Sequence, residues 1–293
     1  MKKLIEIIKE AENRKVAIGH FNISECAGLK GIFKAAQELN LPVIIGVSEG
    51  EREFIGTKRI ALMVKSLREE FNYPIFLNAD HTHSFEKIKE AVEAGFDAVL
   101  FDGGKLPFEE NIKKTKEVVE YVKNVSASRR TEILVEAELG YLGAGSVILD
   151  KIPEEATIEE QDLTKPDEAA FFIKETGIDL LAPAVGNIHG MFKNAPNPNL
   201  DIERIKKIRQ AVGIPLVLHG GSGIRNEDFL QAIDAGISII HINTEIRLAW
   251  RRGMEKALQE KPEEITPYKL LPIVVEEIKE VVYNRLKLFN GLV

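Results

Sequence analysis

Only one cysteine, Cys26, occurs in the 293 residues. A disulfide framework within the chain is thereby excluded, and the usage fits a reducing compartment. Cys26 stands in ISECAGLKGIF, which reads as a helix start, and it is expected to pack there as a small apolar residue. No run approaches the roughly 18 consecutive apolar residues that a helical membrane span needs. The N-terminal MKKLIEIIKE lacks the sustained apolar stretch of a secretory leader and reads as an amphipathic helix. A cytoplasmic location is the expectation. An excess of basic residues is missing as well: the formal charge is −7, which argues against a nucleic-acid or anionic-membrane partner. With no low-complexity segment and no charge-run linker, the chain is expected to form one domain over residues 1–293.

What the sequence does contain is a series of short, nearly continuous apolar runs: KVAIGHF, PVIIGVS, PIFLNAD, DAVLFDG, EILVEAE, DLLAPAV, PLVLHGG and ISIIHIN. Runs without polar alternation are what parallel strands look like when both faces are buried. Segments with helical spacing lie between them, so the pattern predicts βαβ units and a parallel sheet. The joints repeat. Gly95, Gly177 and Gly236 stand where helices should end, and Pro42, Pro74 and Pro215 open strands where a missing N–H does little harm. Eight such units predict a closed α/β barrel, of the kind that typically takes about 250 residues, with an N-terminal helix and a C-terminal helical extension. The longest stretch without a clear element, residues 143–165, follows the fifth strand. Long loops on that face often act as lids.

All six histidines fall at the C-terminal ends of these strands or, in the case of His241, inside the last one. The others are His20, His81 and His83, His189, and His219. Active sites of such barrels are built on that rim, and histidines converging from separate strands suit a catalytic zinc site with one open position. HGGSG, from His219 to Gly223, follows the seventh strand and precedes a helix. Its glycines let backbone amides approach an anion near a helix N-terminus. Asn243 and Thr244 end the eighth strand, and Lys193 follows His189 by four residues. A metal site beside a phosphate site suggests Lewis-acid chemistry on a sugar phosphate.

With these residues in view, the chain resembles the class II, metal-dependent ketose-bisphosphate aldolases, the fructose- and tagatose-bisphosphate enzymes. The resemblance rests on FNISE, VSEG, Asp80-His81, EAELG (Glu136 to Gly140), GNIHG (Gly186 to Gly190), LHGGSG and NTE, which occur in family order. It implies that a ketose 1,6-bisphosphate is cleaved reversibly to dihydroxyacetone phosphate and an aldehyde such as glyceraldehyde 3-phosphate. It further implies His81, His189 and His219 as ligands of a catalytic Zn²⁺, and Asp80 as the acid/base for the C4 hydroxyl. Asp102 and Glu138 match positions for a second or displaced cation, divalent or monovalent. Gly190, Gly220, Gly221, Ser222, Asn243 and Thr244 would hold the dihydroxyacetone phosphate part, assisted by Lys193 and Ser48. A homodimer or homotetramer is the implied assembly.

Three places depart from the family pattern. The early acidic residue of the loop after EAELG is replaced by GAGSVIL, so Asp150, Glu154, Glu155, Glu159, Glu160 or Asp162 would have to supply a C3-proton base. The usual strand-eight Asn is His241, which could carry that proton instead, its ordinary pKa near 6.5 suiting exchange. The C-terminal Asp-Pro-Arg reads Thr266-Pro267-Tyr268. An aldolase of altered specificity, a sugar-phosphate-binding barrel without aldol activity and a metal-dependent hydrolase therefore stay open at this stage. The presence of Asp80 favours the enzyme, because a binding module needs no C4-hydroxyl acid/base.

Overall fold

Eight parallel strands close into a barrel in the computed structural model, which describes residues 2–129, 131–140, 148–149, 160–192 and 197–292. The barrel strands are β1 (Ile18–Asn22), β2 (Val43–Val47), β3 (Ile75–Thr82), β4 (Ala98–Phe101), β5 (Leu134–Leu139), β7 (Leu180–Pro183), β9 (Leu216–Leu218) and β10 (Ile237–Ile242). Each pairs with its sequence neighbour, and β1 joins β10 to complete the ring. Two further strands, β6 (Ile148–Leu149) and β8 (Met191–Phe192), pair with each other outside it. The apolar runs of the sequence are these eight strands. Burial on both faces is the reason they read as continuous.

Helices follow the strands: α2 (Cys26–Leu39), α3 (Glu49–Ile55) with α4 (Thr57–Phe71), α5 (Phe85–Ala94), α6 (Phe108–Arg129), α7 (Pro166–Thr176), α8 (Ile202–Val212), α9 (Asn226–Ala235) and α10 (Thr244–Glu260). The C-terminal extension is α11 (Pro267–Phe289), packed against α2 and α10. Gly95, Gly177 and Gly236 do end α5, α7 and α9, each at positive φ. Among the described residues no helix is long and apolar enough to cross a membrane.

The two ends of the barrel differ in chemistry. The N-terminal helix α1 (Leu4–Arg14) buries Leu4, Ile7, Ile8 and Ala11 against Ile18, Ile44, Phe76, Leu134, Val217 and Ile239. Each buried Leu or Ile contributes roughly 1.5–3 kcal/mol of transfer free energy, so this end is an apolar plug. Polar side chains collect at the opposite, C-terminal rim. Cys26 departs from its expectation. It is the first residue of α2, but its side chain is exposed. Glu25 caps that end by accepting from the Ala27 and Gly28 amides, which turns Ala27 and Gly28 inward and Cys26 to solvent.

Candidate active site

His81, at the end of β3, has a φ of 37°, a left-handed conformation rare for a residue with a Cβ. That turn sends its ring toward His189, which follows β7, and His219, which follows β9. Ring centroids lie 4.7 Å apart for His81–His189, 5.0 Å for His81–His219 and 5.7 Å for His189–His219, with planes nearly perpendicular. Glu138 of β5 joins them, its Oε1 3.3 Å from His219 Nδ1 and 3.5 Å from His81 Nδ1. One donor atom from each of these four residues lies within 4.8 Å of the others.

This donor set fits a divalent cation. His189 Nε2, His219 Nδ1 and Glu138 Oε1 are buried and have no hydrogen-bond partner, a state that is expensive unless a ligand completes it. Burial, reinforced by His81 and His219, lowers the His189 pKa to about 3, so its lone pair stays available. Burial and the nearby Asp102 push Glu138 up to about 7. Burial alone would lower His81, yet Asp80, Asp102 and Glu138 raise it to about 10. His219 is raised as well, Glu136 and Glu138 outweighing its burial. These carboxylates demand positive charge at the centre, which a proton or a metal ion can supply.

Two acids stand behind the histidines. His81 Nδ1 donates to Asp102 Oδ2 at 3.0 Å, and His219 Nε2 donates to Glu136 Oε1 at 2.8 Å. Such partners fix ring orientation and ligand basicity. Asp102 and Glu138 both approach His81 Nδ1, at 3.0 and 3.5 Å, and of the two it is Glu138 that also reaches His219. Sequence reasoning missed Glu136, although the spacing in EAELG held the signal: Glu136 and Glu138 are two apart on one strand and share a face.

Asp80 is buried beside the cluster. It accepts from Asn22 Nδ2 at 2.8 Å, and its Oδ1 lies 3.4 Å from His241 Nδ1. Burial would raise its carboxyl, but His81, His241 and His20 hold it well below the ordinary carboxylate range. His241 does not keep its usual value either. Burial first, then His20 and His219, push it well below 6.5, so it acts as a neutral imidazole rather than a group poised for titration. Its ring stacks on His20 with centroids 3.4 Å apart and planes 1° from parallel, the two residues being register partners of β10 and β1. The other face of His241 meets His219 at 3.9 Å. His83 is the outlier of the six, more than half exposed on the rim.

The glycine-rich turn after β9 lies alongside. Gly220 has a φ of 62°, and a Cβ there would fall 2.3 Å from the Ile188 carbonyl oxygen, so only glycine lets this turn close against His189. Ser222 Oγ accepts from the Asn243 and Glu245 amides at 3.3 Å each. Gly223 N donates to Glu245 Oε1, which Arg285 of α11 also contacts at 2.7 Å. A pocket with about 280 Å³ of open space brings together Asp80, His81, His189, Gly190, His219, Gly220, Gly221, Ser222, His241, Asn243 and Thr244, plus Asn22. Of these, sequence reasoning gave no role to Asn22 alone, which stands inside FNISE. Ser48 does not line the pocket. It caps α3, its amide donating to Glu51 Oε2 at 2.8 Å. Lys193 and the loop acids Asp150, Glu154, Glu155 and Glu159 lie outside the described residues. Glu160 pairs with Arg204, and Thr266-Pro267-Tyr268 opens α11 with Tyr268 exposed.

Comparisons with known proteins identify the family. The family model described as class-II fructose-bisphosphate aldolase matches residues 2–291. A fructose-bisphosphate aldolase of Geobacillus stearothermophilus is 39% identical over 289 residues, covering 98% of this chain and 96% of its own. One from Staphylococcus aureus is 38% identical, covering 97% and 96%. The crystal structure of the YdjI aldolase from Escherichia coli K12 superposes with a TM-score of 0.82 at 33% identity, covering 99% of this chain and 97% of that one. Carrying the model match over nearly its whole length, this chain belongs to the class II fructose-bisphosphate aldolase family.

Proposed function

We propose that this chain, as one catalytic barrel domain, cleaves a ketose 1,6-bisphosphate of the fructose or tagatose type between C3 and C4. The products are dihydroxyacetone phosphate and an aldehyde such as glyceraldehyde 3-phosphate. The observation that carries the reading is the convergence, in one pocket, of a three-histidine cluster, a buried carboxylate and a glycine-rich anion cup. His81, His189 and His219 would hold Zn²⁺, with Glu138 beside them and Asp102 and Glu136 orienting two of the rings. When bound, the ion supplies Lewis-acid stabilisation of the charge that develops at C2 and C3. Asp80 takes the C4 hydroxyl proton in the cleavage direction and returns it in the aldol direction. Its depressed pKa keeps it ionised, and the Asn22 amide fixes its rotamer.

Gly190, Gly220, Gly221, Ser222, Asn243 and Thr244 seat the dihydroxyacetone phosphate end, aided by the N-terminus of α10 and by Lys193. A carboxylate of the 143–165 loop, Asp150 or Glu154, carries the C3 proton, and His241 beside Asp80 is its competitor for that role. The decisive experiment measures cleavage of fructose and tagatose 1,6-bisphosphates by metal-replete protein, with the triose products trapped. Turnover that vanishes on chelation and returns with Zn²⁺ supports the proposal. A replete enzyme that releases no triose from either sugar refutes it.

A further inference from the structure

The seven-residue helix α3 is built inside out. It buries two charged residues, Glu51 and Arg52, and leaves Phe54 on its surface. Hydrophobic burial would arrange it the other way round, and a guanidinium taken out of water needs compensation. The contacts of these two side chains explain the inversion. Arg52 is 2% exposed. Its Nη1 donates to the carbonyls of Val47 at 2.5 Å and of Asp80 at 3.2 Å, and its Nη2 donates to Thr82 Oγ1 at 2.9 Å. The guanidinium thus grips the backbone before His81 and the side chain after it, bracketing the one residue of the cluster in a left-handed conformation. Such a turn persists only where its surroundings over-determine it. A planar fork meeting several fixed oxygens at once is what arginine provides and lysine does not. Glu51 works on the neighbouring residue by another route. Its Oε2 accepts from Asn22 Nδ2 at 3.0 Å, and the same amide nitrogen donates to Asp80 Oδ2 at 2.8 Å. Arg247 of α10 holds the other oxygen of Glu51 at 3.0 Å.

We infer that Glu51 and Arg52 form a two-armed positioning device for the site, Arg52 setting the backbone turn that aims His81 and Glu51 setting the Asp80 carboxylate through Asn22. This rests on the aldolase reading above for the roles of His81 and Asp80, and it predicts that the two arms separate experimentally. Arg52→Met keeps most of the stem and removes the fork. Glu51→Gln keeps the shape and removes the charge. Three quantities are read for each: Zn²⁺ affinity by chelator competition, the visible spectrum of the Co²⁺-loaded protein, and kcat against KM for ketose bisphosphate cleavage.

Arg52→Met should weaken Zn²⁺ binding by about 10–100-fold, the usual range for a residue supporting a ligand, and should shift the Co²⁺ spectrum. Glu51→Gln should leave affinity and spectrum as in the parent while kcat falls at least about tenfold and KM stays within about threefold. Should Arg52→Met fail to fold, Thr82→Val removes one of the oxygens that the fork holds at almost no change in shape, and it should shift the same spectrum. Variants that lose thermal stability but keep metal affinity, spectrum and kcat overturn the inference and leave the pair purely structural. A parent protein that takes up no metal, or takes it up equally well as His219→Ala, overturns the aldolase site as well. Normal parental uptake with unshifted variants overturns this inference alone.

Discussion

Gly46 of β2 makes room for the stacked imidazoles, and replacing it with alanine tests whether that stack is rigid. A Cβ at position 46 would lie 2.1 Å from His20 Cε1 and 2.6 Å from its Nε2. Ordinary contact begins near 3.4 Å, so the ring must withdraw by about 1.3 Å from the 2.1 Å approach. It has nowhere to go. His241 already lies at the stacking distance of 3.4 Å on the other face, and His219 meets His241 in turn at 3.9 Å. Overpacking of this kind costs about 1–3 kcal/mol. At roughly 2–4 °C per kcal/mol for a chain of this size, the Tm of Gly46→Ala should fall by about 2–12 °C. Turnover should fall too, because a displaced His241 changes its 3.4 Å approach to Asp80. Pairing it with His20→Ala removes the ring that clashes, so Gly46→Ala should cost at least about 1 kcal/mol less in that background. Calorimetry and steady-state rates of the four proteins measure the cycle. Additive effects, or a Gly46→Ala protein with parental Tm and kcat, would refute the reasoning.

Other substitutions separate the roles within the pocket. His219→Ala should lose stoichiometric Zn²⁺ by elemental analysis while keeping its far-ultraviolet circular dichroism, since the apolar core does not depend on the rim. Asp80→Asn should retain Zn²⁺ and dihydroxyacetone phosphate binding yet lose cleavage by at least about 10²-fold; parental turnover would remove Asp80 from the mechanism. Glu136→Gln should weaken Zn²⁺ by about 10–100-fold through His219, and an unchanged affinity would mean that this carboxylate only packs. At the opposite end, Ile8→Ala should destabilise by about 2–5 kcal/mol without touching kcat under folding conditions. A selective loss of turnover there would tie the plug to the site.

Legibility in the sequence follows from what each residue's neighbours demand. The eight strands could be read because both faces are buried, which leaves an unbroken apolar run, and the rim could be read because histidine and aspartate do not end a buried strand without cause. His81, His189 and His219 converge as the resemblance implied, from three strands far apart in sequence. The support around them was not readable. In EGEREFI four of seven residues are charged, a pattern that reads as a solvated helix; only the fold reveals that Glu51 and Arg52 turn inward. His241 could be placed but not its ionisation, since its pKa is lowered first by burial and then by His20, which comes from a strand more than 200 residues away in sequence. The short pair β6 and β8 left no signal, two residues being too few to show a period.

The distribution of unsatisfied polarity makes the functional case independently of any motif. Among the described residues, the buried side-chain polar atoms without a hydrogen-bond partner belong to His20, Asn22, Asn78, Asp80, Glu138, His189, His219, His241 and Asn243, with Ser126 and Trp250 as the remaining cases. Nine of these eleven residues share one end of one barrel. A fold selected for stability alone would not collect them, because each such atom carries a desolvation penalty of about 1–3 kcal/mol. The other end of the same barrel shows what stability alone produces: α1 closing over aliphatic side chains. The rim also holds the left-handed His81, a strain that local sequence does not favour. Local rules that are broken together, in one place, by residues from most of the strands mark the position where a ligand completes the structure. Donors of nitrogen and carboxylate oxygen on one side, and a glycine turn with a helix N-terminus on the other, are what the metal ion and phosphate ester of the proposed reaction would require.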